Sequence, residues 1–411
     1  MSRGVPAILI AAALAAGCSN GGAAPVSSAP AAPGTAPAGP TARSVAISYF
    51  RRALAHRPTS GLAAPRTPPQ RRSLRTLEAW LRSIPAHDVD GVAVPLPSRS
   101  PRTASVLVTM RGRLGRGAGN PIVGFGGRRV LLRRGPAGWR VVADESRRPG
   151  SGVARDGLSA IPNARYVTGT NALVVNAADA PGSAVTDAEL GAAAFPRLVS
   201  RYARPGFDRT PVIFLLRDWS QAEGIAGVSF PHEVVGAEYR GLIFLDFPVW
   251  QRADEIGAQG VVVHELTHLT SAGLVRGTPL SLVEGLARYE EDEYDRRMGA
   301  PRTSTLLAGA YRDGYPTVTR WGWAIYNQWQ LTTSLPIQLA YDDGAAVTRA
   351  VLERDGLAGL RRLAAGFRRA GGGWFSPDRL RAVFRRALHE PLADVIARAH
   401  AETFALAAGQ S

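Results

Sequence analysis

The spacing of apolar residues changes several times along the chain, and each change predicts an element. Val5 to Ala16 is an unbroken apolar run behind Arg3. It is too short to span a bilayer, which needs roughly 20 residues, and reads as the core of a secretion signal. Asn20 to Pro40 is dominated by Ala, Pro, Gly and Ser and carries no charge, so it reads as a flexible tether. Ile47, Phe50 and Leu54 then fall at helical spacing, as do Leu74, Leu77 and Leu81 with Trp80 beside them. Pro85 stops that second helix. The period switches to two at Val106, Val108 and Met110. Val130–Leu132 and Trp139–Val142 predict two more strands, joined at Gly135-Pro136-Ala137-Gly138.

A linker is expected at Arg147 to Gly152. Beyond it, Ala172–Val175, Val212–Leu216 and Leu242–Phe247 predict strands. Asp187–Tyr202 predicts one helix, with Leu190, Ala194, Leu198 and Tyr202 spaced by four. After residue 256 the pattern is almost wholly helical. Ser376-Pro377-Asp378 is a helix start: Ser caps, Pro fits the first turn and Asp suits the dipole. Leu380, Phe384 and Leu388, then Leu392, Val395 and Ala399, face a core.

Charge sharpens this division. The chain has 411 residues, a formal charge of +16 and no lysine, all 49 basic residues being arginine. Residues 41–150 hold 21 Arg and five acids, whereas 151–411 hold 27 Arg and 28 acids. The excess is a property of one segment, which argues against a uniformly basic nucleic-acid binder. The expected fold class is α+β. Residues 1–17 form a signal, 18–41 a tether, 42–150 a basic α+β domain, and 151–411 a larger domain with a mixed sheet and a mostly helical C-terminal half.

Cys18 is the only cysteine, so no internal disulfide and no cysteine-based zinc site can form. The stretch Leu14-Ala15-Ala16-Gly17-Cys18 resembles the lipobox of bacterial lipoproteins, with Ala15 where a larger aliphatic is commoner. The resemblance implies cleavage before Cys18, acylation there, and a mature protein anchored by lipid outside the cytoplasmic membrane.

His264-Glu265-Leu266-Thr267-His268 carries the chemistry. Two histidines four apart share one helical face, so both imidazoles can reach one metal ion, with Glu265 beside them. With 7 His and 15 Glu in the chain, chance predicts on the order of 0.004 such patterns. A catalytic zinc takes three protein ligands and keeps one position open. The metzincin continuation fails, because Ser271 and Leu274 stand where Gly and His would be. The gluzincin pattern instead places a Glu on the following helix, and Glu284 lies sixteen residues after His268 in Leu282-Val283-Glu284-Gly285-Leu286-Ala287-Arg288-Tyr289. An acid in an apolar stretch is costly unless paired or metal-bound, which favours Glu284 over the solvated run Glu290–Glu293. Glu290 is the next candidate.

These two phrases resemble bacterial peptidases of the thermolysin-like gluzincin clan, peptidase-MA-like branch. The resemblance implies a zincin-like metallopeptidase over 151–411. Zn²⁺ would be held by His264, His268 and Glu284, with Glu265 as general base and a peptide or protein as substrate. It also implies an upstream edge strand that pairs with extended substrate, for which Gly241–Phe247 is placed. Thermolysin has an Asp four residues after its ligand Glu. Arg288 stands there, which leaves the partner of His264 unassigned. Leu339–Val347 resembles the next helix of this branch, so Tyr341 is the candidate oxyanion donor and Tyr326 its rival. Two helices followed by a sheet ending Gly-Trp-Arg-Val-Val-Ala-Asp make 42–150 similar to the nuclear-transport-factor-2-like superfamily, as a support domain. Two alternatives stay open: a zinc-dependent cell-wall amide hydrolase, and a non-catalytic surface lipoprotein with a structural metal.

Overall fold

The computed structural model describes residues 40–97, 100–146, 156–230, 235–300, 305–314, 334–371 and 375–409. The expected signal, Cys18, all but the end of the tether, the Arg147–Gly152 linker and Tyr326 lie outside the described residues. The fold is α+β, with a four-stranded antiparallel sheet, a mixed five-stranded sheet and a helical C-terminal half. It divides into two units, each described by itself.

The first unit is Leu14–Tyr166 with Ser220–Ser229. Contacts thus carry it on to Tyr166, whereas composition placed a boundary near 150. Helix α1 (Ala42–Leu54) is capped by Thr41, whose hydroxyl accepts from the Ser44 N–H. Helix α2 (Pro68–Ser83) begins with a capping box between Thr67 and Gln70 and has Pro at its first turn. Both helices lie on an antiparallel meander of β1 (Ala86–Leu96), β2 (Thr103–Leu114), β3 (Ile122–Gly135) and β4 (Gly138–Asp144). Phe50, Leu54, Leu74, Leu77, Trp80 and Leu81 are buried against Val106, Val108, Met110, Val130 and Leu132. Ile47 is only half-buried, and Tyr49 and Ala53 fill that face instead. The turn at Gly135–Gly138 joins β3 to β4 as expected. Strand β1 has no counterpart in the sequence reading. It is an edge strand carrying Asp88, Asp90 and Pro95, residues that suit an edge and hide the alternation.

The second unit holds Val167–Trp219 and Phe230–Ser411. Its sheet runs β5 (Arg165–Thr168), β6 (Leu173–Asn176), β7 (Val212–Leu216), β9 (Leu242–Asp246), β8 (Gly236–Tyr239). Strands β6, β7 and β9 are parallel and buried along their whole length, as expected of strands covered on both faces. β8 runs antiparallel to β9 and forms the edge. The expected edge strand, Gly241–Phe247, is therefore corrected: β9 is interior, paired on both sides, and β8 is the rim. The expected helix Asp187–Tyr202 is two, α3 (Gly182–Ala192) and α4 (Phe195–Tyr202). Pro196, in the first turn of α4, cannot continue a helix from upstream. Of the four residues at that spacing, Leu190 is exposed.

Between Trp219 and the central helix come α5 (Trp219–Ala226) and the single turn α6 (Phe247–Trp250). The centre of this unit is α7 (Glu255–Val275), started by Asp254, whose carboxylate accepts from the Gly257 N–H at 2.7 Å. Nearly every residue from Gly257 to Ser271 is buried, as in a helix surrounded by other elements. It packs on α3, α4 and α8 (Leu280–Arg297). The remaining helices are α9 (Thr305–Arg312), α10 (Ser334–Arg369, broken at Gly356), α11 (Pro377–Leu388) and α12 (Leu392–Ala408). Ser376 caps α11 as expected, and Leu380, Phe384, Leu388, Leu392, Val395 and Ala399 are buried.

Helices α8 and α10 touch backbone to backbone. A Cβ on Gly285 would lie 2.3 Å from the Gly344 carbonyl carbon, and one on Gly344 2.4 Å from the Ser281 carbonyl oxygen. Neither can be accommodated without separating the helices. Gly285→Ala is expected to cost about 1–3 kcal/mol, read as a lower Tm in thermal unfolding. Gly309→Ala, where a Cβ meets nothing, should be neutral or slightly stabilising.

Candidate metal centre

The i, i+4 spacing on α7 stacks His264 over His268, with ring centroids 4.8 Å apart. Helix α8 returns alongside and brings Glu284 to the same face. Its Oε2 lies 3.4 Å from Nε2 of His264 and 3.4 Å from Nε2 of His268. The three ligand atoms fall within 4.8 Å of one another. A tetrahedron with bonds of about 2.05 Å has edges of about 3.3 Å, so the two measured edges are compatible with a small four-coordinate metal ion. Neither Nε2 nor either Glu284 oxygen has a hydrogen-bond partner among the described residues, although all are buried. Such orphaned polar atoms are costly without a ligand.

The charges point the same way. Burial opposes a charged His264, but the Glu284 carboxylate 3.4 Å from Nε2 and the hydrogen bond to Glu291 outweigh this and hold the imidazole up at about 10. Burial pushes the Glu284 carboxyl upward, and the two histidines overcome it, bringing it down to about 2. The site requires positive charge, which protons or a cation can supply. Glu265 is fully buried, and both its oxygens lack partners among the described residues. Burial, only partly offset by the histidines, pushes its carboxyl up to about 7. β8 passes close beside it: a Cβ on Gly236 would come within 3.0 Å of Glu265 Oε1. A larger residue there would crowd the carboxylate.

The partner of His264 is Glu291. Nδ1 of His264 donates to Glu291 Oε2 at 3.1 Å, which leaves Nε2 as the ligand atom. Arg288 donates to Glu291 Oε1 at 2.7 Å and to Asp342 at 3.0 Å, joining α8 to α10. Arg288 thus holds the acid that orients His264. Sequence reading missed Glu291 because it lay in a run taken as solvated. That expectation is corrected: Glu290, Glu291 and Glu293 are buried. Arginines make this possible. Glu290 receives Arg197 at 2.6 Å, Arg201 at 2.8 Å and the Tyr202 hydroxyl. Glu293 receives Arg349 at 3.2 Å and Arg296. Glu290, the second ligand candidate, is therefore engaged away from the histidines. Tyr341, on α10, is buried with its ring 6.3 Å from that of His264.

No protein family, curated protein or solved structure matches this chain.

Proposed function

We propose that the chain is a lipid-anchored, extracytoplasmic zinc endopeptidase of the gluzincin type. The observation that carries this is the convergence of two Nε2 atoms on one carboxylate oxygen, 3.4 Å from each, beside a buried carboxylate with no hydrogen-bond partner among the described residues. His264, His268 and Glu284 would hold Zn²⁺. When bound, the ion supplies Lewis-acid polarisation of the scissile carbonyl and an acidified water. Glu265 takes the proton of the attacking water and delivers it to the leaving amine, a task suited to a carboxyl near neutral pKa. Tyr341 donates its hydroxyl to the oxyanion. β8, an antiparallel edge facing α7, pairs with the extended substrate.

The mixed sheet with its antiparallel rim, followed by the HExxH helix, supports a zincin-like reading of this unit. Two helices on a four-stranded meander support a nuclear-transport-factor-2-like support domain. Cys18 is the proposed acylation site. A structural metal site would have no use for Glu265, which favours catalysis over the non-catalytic alternative. A cell-wall amide is the alternative substrate, since pocket shape alone would decide it.

The mature chain is expected to carry stoichiometric zinc by elemental analysis and to cleave a peptide library. Chelation should abolish cleavage and added zinc should restore it. A metal-free chain from zinc-replete cells would sink the proposal. Cleavage of peptidoglycan fragments with no peptide turnover would favour the amidase.

A further inference from the structure

The helical layer of the first unit is basic without compensation. Residues 41–83 contain nine arginines and one acid, Glu78. Glu78 is turned inward, where it accepts from the hydroxyls of Tyr49, at 3.0 Å, and Thr59. The other acids of this unit's sheet are engaged as well. Asp144 and Glu145 meet Arg128 and Arg129, and Asp88 and Asp90 on β1 meet Arg113, Arg51 and Arg111. Arg43, Arg52, Arg57, Arg66, Arg71, Arg72 and Arg75 are exposed and have no carboxylate partner among the described residues.

Fold stability does not account for this. Neither α1 nor α2 has an acid in its first turn. Arg43 and Arg71 instead sit where the helix dipole disfavours cations. Arginine-rich composition does not account for it either. Residues 151–411 also use arginine as their only basic side chain besides histidine, but balance 27 of them with 28 acids. The missing element is the anion, and among the described residues of this unit no acid supplies it. The face also begins where the chain leaves its anchor: Thr41, the cap of α1, is 23 positions after Cys18. A chain of 23 residues reaches at most about 80 Å when fully extended, so the anchor bounds the distance between this face and the bilayer.

We infer that the α1–α2 face docks on an anionic phospholipid surface, laying the first unit against the membrane that holds the lipid anchor. The location of that membrane rests on the lipoprotein reading, but the docking chemistry does not. Phosphodiester headgroups present a diffuse negative layer that many independently placed guanidinium groups can meet at once. Exposed arginines scattered over two helices and a loop suit such a layer better than a single shaped anion.

The test uses the full mature chain from Ser19, without acylation, so that lipid insertion does not contribute. Binding is measured by co-sedimentation with phosphatidylcholine vesicles, with and without phosphatidylglycerol, at low and high salt. Binding should require phosphatidylglycerol and weaken with salt. Each arginine is worth about five-fold in partitioning, so R71Q/R72Q/R75Q should bind on the order of 100-fold less. The charge-matched control R361Q/R369Q/R385Q, exposed positions in the other unit, should bind like wild type. Far-ultraviolet circular dichroism checks that both variants fold. Binding indifferent to phosphatidylglycerol, or an equal loss in the control, overturns the inference. So does tight binding to polyuridylate with none to vesicles. Labelled fatty acid incorporation at Cys18 is followed separately in cells. Its absence removes the anchor and leaves the vesicle result intact.

Discussion

Glu265→Gln is expected to retain its zinc and lose peptide hydrolysis by about 10²–10⁴-fold, the usual contribution of a positioned acid–base group. The substitution keeps the shape of the side chain, so packing in the fully buried position is preserved. Both carboxylate oxygens lack partners among the described residues, so the amide breaks no hydrogen bond seen there. Glu265 lies outside the His264–His268–Glu284 triad, so metal content should match wild type. What is lost is the ability to accept a proton, which an amide does not have. The loss should appear in kcat with KM little changed. A zinc-replete Glu265→Gln enzyme that still turns over peptides would overturn the assignment of Glu265 as base. Equal loss of zinc and activity would instead place Glu265 among the groups that hold the site together.

How much of this was legible in the sequence depends on how local each feature is. The i, i+4 relation of His264 and His268 is set by one turn of helix and needs no fold. Glu284 was legible because an acid in an apolar stretch demands a partner, and the structure brings it to the histidines. Glu291 was not. Its burial depends on Arg288, and that arginine's second anchor, Asp342, is 54 residues away on α10. A run of four acids reads as solvated until the arginines that meet it are placed. Sheet order is likewise non-local. The apolar run of β9 was clear, but whether it or β8 forms the rim depends on which side β7 pairs. β1 was missed for a different reason: its polar edge positions erase the period-two signal. The α3–α4 break was locally visible at Pro196 but was overridden by the four-residue spacing from Leu190 to Tyr202.

Glu291→Ala is expected to weaken zinc binding about 10–100-fold, as loss of a carboxylate behind a metal-bound histidine commonly does. The physical cause is double. Nδ1 of His264 loses the acceptor that fixes its tautomer and its ring orientation. Arg288 loses the nearest of its three carboxylates while staying buried, keeping Asp342 at 3.0 Å and Asp292 at 3.4 Å. The second effect adds a stability cost of about 3–5 kcal/mol at most, the range for breaking a buried pair. Zinc affinity, read by competition with a chromophoric chelator, separates the two roles. Glu291→Gln can still accept from Nδ1 but turns an amide donor toward the guanidinium, so it should lose stability and keep more of the zinc affinity. Glu290→Gln provides the comparison. It disturbs the contacts to Arg197, Arg201 and Tyr202 on the same helix without touching His264, and should lower Tm while leaving zinc affinity unchanged. If Glu290→Gln and Glu291→Ala weaken zinc equally, the buried negative charge of α8 sets the affinity, and the hydrogen bond to His264 does not.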